Sequence, residues 1–243
     1  MRINADGIGY RDLNERIHTA LKTGEREFVL DNVRGQRYIA VGLDNGVRIT
    51  IHGVPGNDLG AFMNGAHVVV HGNGQDGIGN TMNAGKIVVH GNAGDLVGHS
   101  MRGGKIFVRG YVGYRAGIHM KAYQERFPIV VVGTVAKDYL GEYMAGGVLV
   151  VLDIDSAGTS PVGEYVGTGM HGGVIYLRGK PDPYQLGQEV GVGPLDDADW
   201  QTLGRILDEY CEDFHLSPTY FHRDEFVRLS PKSTRPYGNL YAY

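Results

Sequence analysis

Glycine and methionine recur along this chain at a spacing of about 19 residues. Six methionines each follow a glycine by three positions, and consecutive methionines are 19, 19, 19, 24 and 26 residues apart. The units begin at Gly60, Gly79, Gly98, Gly117, Gly141 and Gly167. Because the 39 glycines fall largely at fixed positions between apolar strands, they indicate tight corners and not a flexible chain. The repeat therefore predicts a solenoid, in which each unit stacks on its neighbours.

The strand-like apolar runs between the corners indicate an all-β fold. We expect residues 46–179 to form a right-handed parallel β-helix, a single-stranded solenoid of about six to seven coils. Stacking then aligns three apolar columns toward the core, with methionine as adaptable filler. The columns are Ile49, Val68, Ile87, Ile106 and Ile129; Ile51, Val70, Val89, Val108 and Val131; and Leu59, Ile78, Val97, Ala116, Leu140 and Val166. The longer steps predict insertions near residues 121–127 and 153–165.

Both ends of a solenoid need caps, because unpaired strand edges are exposed there. Asp12 and Glu15 have the spacing of a capping box, which predicts an amphipathic helix that ends at Gly24. A second amphipathic helix is predicted after Pro194, and residues 221–243 have the composition of an irregular tail packed on the surface. We expect one domain over 1–243, with a cap and first strands over 1–45, regular coils over 46–179, and a helix and tail over 180–243.

Composition excludes several classes of function. The net charge of −4 gives no basic footprint for nucleic acid. The single cysteine, Cys211, can form neither an internal disulfide nor a cysteine-ligated metal cluster. No run approaches the length of a membrane span, and no apolar leader is evident, so we expect a cytoplasmic protein.

Two sequence motifs resemble catalytic or nucleotide-binding signatures without their context. Residues 72–77 match the dinucleotide fingerprint, but a further β segment follows them where a phosphate-binding helix should begin. Residues 98–102, around Ser100, fall one residue short of a nucleophile elbow. We therefore predict no catalytic, cofactor-binding or metal-binding residue in this chain.

Two polar columns have simpler explanations than metal binding. Asn57, Asp76, Asp95 and Asp138 share one corner, where Asx turns account for them better than calcium does. His52, His71, His90 and Arg109 also stack, but side chains one coil apart project in parallel and do not converge on a shared metal.

The outward side of the main strands carries an apolar column where a solvent-facing strand should be polar. Either a segment of the same chain covers this column, or it is a docking face for another protein. The candidate partner face comprises Thr50, Val69, Val88, Phe107, Val130, His71, His90 and Arg109.

Four segments resemble the C-terminal GXGXG domain of the glutamate synthase large subunit, in the stand-alone form found where the synthase is split into separate chains. These are residues 54–62, 77–82, 113–121 and 140–147, and the ending Arg235-Pro236-Tyr237-Gly238 extends the resemblance over nearly the whole chain. The resemblance implies a β-helix with a supporting role. The same β-helix occurs in the C-type scaffold chain of formylmethanofuran dehydrogenase, which this sequence resembles more distantly.

The resemblance also implies partners and places the cofactors on them. In glutamate synthase the glutaminase cysteine, the FMN and the iron–sulfur cluster belong to other domains, and this chain begins Met1-Arg2 with no counterpart of that cysteine. We expect a non-catalytic subunit that braces amidotransferase and FMN-binding synthase chains. The alternatives are a scaffold subunit of a formylmethanofuran dehydrogenase or formyltransferase complex, an independent hydrolase, and a homo-oligomer joined through the apolar column.

Overall fold

The structure, a computed structural model, describes residues 1–154 and 160–233. The strands in these residues are β1 (Arg2–Asn4), β2 (Glu27–Arg34), β3 (Arg48–Val54), β4 (Asn64–His71), β5 (Ala84–Val89), β6 (Gly104–Val108), β7 (Pro128–Val132), β8 (Ala145–Val151), β9 (Gly172–Arg178), β10 (Val190–Pro194) and β11 (Phe226–Pro231). The helices are α1 (Tyr10–Lys22) and α2 (Asp197–Phe214), with 3-10 turns at Pro183–Gln185, Pro218–Tyr220 and Arg223–Glu225.

The strands form one sheet in the order β1-β2-β3-β4-β5-β6-β7-β8-β9-β11-β10. Each pair of neighbours from β1 to β9 is parallel, which confirms the predicted parallel β-solenoid. The coil begins before residue 46, since Glu27 of β2 already lies opposite Arg48 of β3. The Gly-x-x-Met pattern missed this turn because Ala40 and Leu43 replace its glycine and methionine while keeping the same backbone hydrogen bond.

The inward columns form the main core of the solenoid. The column from Leu59 to Val166 is buried throughout, as are the methionines of the repeat. One prediction of register is wrong: Val130 pairs with Ile106 and Val131 with Phe107, so Val130 points into the core and Val131 points outward. Residues 129–132 are all apolar, so period-two alternation could not show which of them face inward.

The glycine of each repeat unit serves both conformation and packing. Gly79 has φ of +66°, and its carbonyl accepts the N–H of Met82 at 3.1 Å. A Cβ at this position would lie 2.3 Å from Cδ1 of Ile106. The corner thus favours glycine, which adopts the left-handed backbone readily and leaves room for the end of the Ile106 side chain.

Helix α1 closes the N-terminal end of the core with Leu13 and Ile17. The predicted capping box is wrong, because the helix begins at Tyr10 and its N-cap, Gly9, makes no side-chain capping bond. Asp12 instead lies inside the first turn, where a negative charge still favours the helix dipole.

The C-terminal segment departs from the predicted cap and tail in two ways. Helix α2 lies along the side of the coils and not over their end, as its contacts with the outer strand face show. Part of the predicted tail is a strand: β11 pairs antiparallel with β9 and β10, and Val190 and Leu229 complete the end of the main core. The sequence 235–238 lies outside the described residues.

Candidate functional site

Helix α2 of the same chain covers the middle of the predicted partner face. Val88 and Phe107 are 2% and 0% exposed and belong to a second apolar cluster with α2. Thr50 and Val69, in the earlier coils, remain half-buried. The sequence left two explanations open for the apolar column, a covering segment of the same chain or a docking face. The first explanation applies to the central coils.

Aromatic packing and a hydrogen bond fix α2 on the strands. The Tyr210 ring lies 5.6 Å from that of Phe107 and 4.5 Å from that of Phe214, measured between centroids. Its hydroxyl donates to the carbonyl of Val108 at 3.2 Å. The neighbouring Cys211 is buried, which raises the pKa of its thiol to about 11 and leaves it protonated at neutral pH.

Ion pairs line one side of the same helix. Lys86 Nζ lies 2.8 Å from Oε1 of Glu209 and 2.6 Å from Oδ2 of Asp213, and Lys105 also pairs with Glu209. Burial alone would raise the pKa of Glu209, but hydrogen bonds from the two lysines hold it below its ordinary value. The charges of Lys86 on β5 and Lys105 on β6 are therefore neutralised by α2.

The predicted histidine column is a stack of parallel rings. Centroids of His52 and His71 are 5.0 Å apart and those of His71 and His90 are 4.8 Å apart, with interplanar angles of 12° and 16°. His90 also meets Phe214 of α2 edge-on, and Arg109 follows half-buried in the next coil. Over residues 1–154 and 160–233, no three or more His, Cys, Asp or Glu side chains are arranged to hold a metal ion.

A fall in pH is expected to lower the free energy of unfolding, because it protonates the histidines of this stack. Burial, followed by the neighbouring imidazole, lowers the pKa of His71 and of His90 below 6.5, although Asp213 partly opposes this at His90. The two imidazoles therefore bind protons more tightly in the unfolded chain than in the folded protein. The stability that they contribute in their neutral form above about pH 6.5 is lost as the pH falls. We expect His90→Gln to flatten the fall in unfolding free energy between about pH 6.5 and 5, measured by urea denaturation. The same change at His18 on α1 is the control; an unchanged slope in His90→Gln would contradict the prediction.

The aspartate column joins the coils through hydrogen bonds. Oδ1 of Asp76 accepts the N–H of Asp95, and Oδ1 of Asp95 accepts that of Tyr114, at 2.9 and 2.8 Å. Asp138 does the same for Glu164 at 3.0 Å. These carboxylates bridge successive coils, whereas the expected Asx turns would have stayed within one coil.

Ser100 takes part in a hydrogen-bonded chain but has no oxyanion hole of its own. Its Oγ lies 3.3 Å from Nε2 of His99, whose Nδ1 lies 3.2 Å from Oδ1 of Asn80. The backbone N–H groups of Ser100 and Met101 both donate to carbonyls of the coils, so neither is free to stabilise a tetrahedral intermediate. The arrangement therefore orders the corner and gives no support to the hydrolase alternative.

An aromatic ridge on the turns of the later coils was missed at the level of sequence. We define it as Tyr111, Tyr114, Tyr139, Tyr143 and Tyr165. Four of these residues (Tyr111, Tyr114, Tyr143 and Tyr165) are 44%, 42%, 40% and 47% exposed, and Tyr139 is half-buried. The signal was available, since Tyr139 and Tyr165 directly precede Leu140 and Val166 of an inward column.

The ridge is ordered by stacking within the chain. The rings of Tyr139 and Tyr165 stack at 4.9 Å, and Tyr143 stacks on His119 at 5.4 Å. Arg115 lies 4.6 Å from the centroid of Tyr139 and is held by Glu142, with Nε 3.0 Å from Oε2. These contacts are on the turns, away from the strand face that α2 covers.

The sequence profile of the GXGXG motif family matches residues 17–223. The chain belongs to this family. The match runs from within α1 through every coil to the turn before β11, so the GXGXG family assignment covers both the solenoid and helix α2. It agrees with the resemblance to the C-terminal GXGXG domain of glutamate synthase.

A relative of this GXGXG protein occurs in Methanocaldococcus jannaschii. It bears the name "Uncharacterized protein MJ1350" and is 46% identical over 248 residues, which cover 98% of this chain and 95% of the relative.

Among the helices of residues 1–154 and 160–233, none combines the length and apolar character needed to cross a bilayer.

Proposed function

We propose that this protein is a non-catalytic structural subunit of a split glutamate synthase. In this role it braces an amidotransferase chain and an FMN-binding synthase chain, which together form glutamate from glutamine and 2-oxoglutarate. FMN and an iron–sulfur cluster belong to the partner chains. The observation that carries the proposal is the family match over residues 17–223, which makes nearly the whole chain one GXGXG domain.

The architecture suits a brace. Neighbouring coils are joined by strand pairing and in places by side-chain hydrogen bonds, such as the one that the Asp95 N–H donates to Oδ1 of Asp76. A surface fixed in this way loses little conformational entropy when a partner docks. The extent of the match to the M. jannaschii relative, 95% of that protein, supports a role for the domain as a separate chain.

Co-purification from the native host at its native level of expression tests this proposal. We expect stoichiometric recovery of an amidotransferase chain and a synthase chain, identified by mass spectrometry, with the absorbance of bound FMN. Adding this protein to the two isolated partners should restore glutamate formation from glutamine and 2-oxoglutarate.

Two outcomes would contradict the proposal. Recovery with chains of a molybdopterin-dependent formyl-transferring complex would assign the protein to the alternative scaffold. Full glutamate synthase activity of the partners without this chain would remove the need for a brace.

A further inference from the structure

Three of the five ridge tyrosines occupy backbone positions at which another coil has glycine. Tyr139, Tyr143 and Tyr165 have φ of 64°, 52° and 61°, in the left-handed region. Such a conformation costs a residue with a Cβ about 1–2 kcal/mol. At the equivalent turn of other coils, Gly77 and Gly169 adopt φ of 73° and 70°. The fold therefore requires the backbone conformation but not the exposed rings.

The exposed rings are fixed before any partner arrives. Stacking of Tyr139 on Tyr165, with Arg115 above Tyr139, leaves these side chains little rotamer freedom to lose on binding. Tyrosine and arginine are also the residue types enriched among the energetic centres of protein interfaces. These features favour a protein surface as the occupant of the ridge.

The charges of the ridge define the chemistry of that occupant. Lys137 Nζ lies 5.1 Å from the centroid of Tyr114 and 5.9 Å from that of Tyr111, and it makes no ion pair within the described residues. Among the carboxylates nearby along the chain, Asp138 accepts a backbone N–H, Glu142 pairs with Arg115, and Glu164 is exposed. The unpaired ammonium group of Lys137 favours a partner that presents a carboxylate.

The ridge also borders a concave feature. Tyr111 and Lys137 contribute to the lining of an open trough of about 450 Å³, whose remaining lining is mostly Asn, Asp and Gly. A protruding loop on a partner could enter this trough while its flanks contact the tyrosines.

We infer that the aromatic ridge is the docking surface for a folded partner protein that presents apolar groups and at least one carboxylate, the latter directed at Lys137. The inference rests on the proposed function, in which the partner is the amidotransferase chain or the synthase chain. The ridge, and not the strand face under α2, is then the principal contact.

Binding of the purified amidotransferase and synthase chains to the full-length protein tests the inference. The double variant Tyr139→Asn/Tyr165→Asn removes two rings of the ridge. Asparagine is the replacement because it tolerates the left-handed backbone at these positions. We expect it to weaken binding of one partner at least about 30-fold. Lys137→Glu should weaken the same binding about tenfold and reduce its sensitivity to salt.

Matched controls lie outside the ridge. Tyr184 is 71% exposed near the C-terminal end of the coils, and Lys180 is exposed close to it. Tyr184→Asn and Lys180→Glu should bind as the native protein does. Circular dichroism and the melting temperature of every variant establish that the fold is intact.

The outcomes separate the inference from the proposed function. If the native protein binds neither chain, the proposed function fails and the inference fails with it. If the native protein binds and the ridge variants bind equally tightly, the inference alone is overturned. Loss of self-association in the ridge variants, with partner binding unchanged, would also overturn it by making the ridge a contact between copies of this chain.

Discussion

Replacing Tyr210 with alanine is expected to lower the free energy of unfolding by about 3–5 kcal/mol. The side chain is fully buried, and its ring packs against Phe107 of β6 and Phe214 of α2. Truncation would leave a cavity at the centre of the second apolar cluster. Chemical denaturation measures the loss, and hydrogen exchange over residues 197–214 shows whether α2 opens before the coils do.

A second variant isolates the hydroxyl of Tyr210. Tyr210→Phe keeps the ring and removes the bond to the carbonyl of Val108, which still accepts the N–H of Gly133 at 2.8 Å. Because that carbonyl stays satisfied, the expected loss is only about 1 kcal/mol. Tyr184→Ala, at an exposed site, should leave stability unchanged. A loss below about 1 kcal/mol for Tyr210→Ala would show that α2 is not held by this side chain.

Gly85→Ala is expected to destabilise the stacked coils by about 3 kcal/mol or more. Gly85 has φ of +102°, and a Cβ there would lie 2.3 Å from the carbonyl oxygen of Ala66 in the preceding coil. The oxygen belongs to the backbone and the Cβ position is fixed by the backbone, so no side-chain rotation can relieve the overlap and the coils must separate locally. Thermal and urea denaturation give the magnitude.

Gly204 provides the matched control for that substitution. It lies in α2, where an added Cβ would meet nothing within 4 Å. Gly204→Ala should stabilise the protein by about 0.5–1 kcal/mol, because alanine has the higher helix propensity. Equal effects of the two substitutions would mean that close approach between coils is not what Gly85 provides.

Much of the core could be predicted from sequence because its determinants repeat. The column from Leu59 to Val166 recurs at one position of each unit, beside a glycine of fixed backbone conformation. The register failed at Val130, where four consecutive apolar residues follow an insertion. The helix start failed at Asp12, because a spacing of three residues fits the interior of a helix as well as a capping box.

The candidate surfaces depended on contacts distant in sequence. The apolar column was correctly recognised as anomalous, but two explanations fitted it equally well. Only the packing of Tyr210 against Phe107, across about a hundred residues, selected cover by α2. The ridge was missed because its tyrosines lie outside the strand columns, at turn positions where the residue type changes from coil to coil.

The sequence by itself determined the period, the parallel coil and the identity of most inward side chains. These follow from local rules, since a left-handed backbone at a corner favours glycine wherever it recurs. Only the tertiary structure decided which outer surface is covered and which remains free for a partner. That choice depends on shape and charge matching between α2 and the strands, including Lys86 with Glu209 and Asp213, and such matching leaves no periodic signal along the chain.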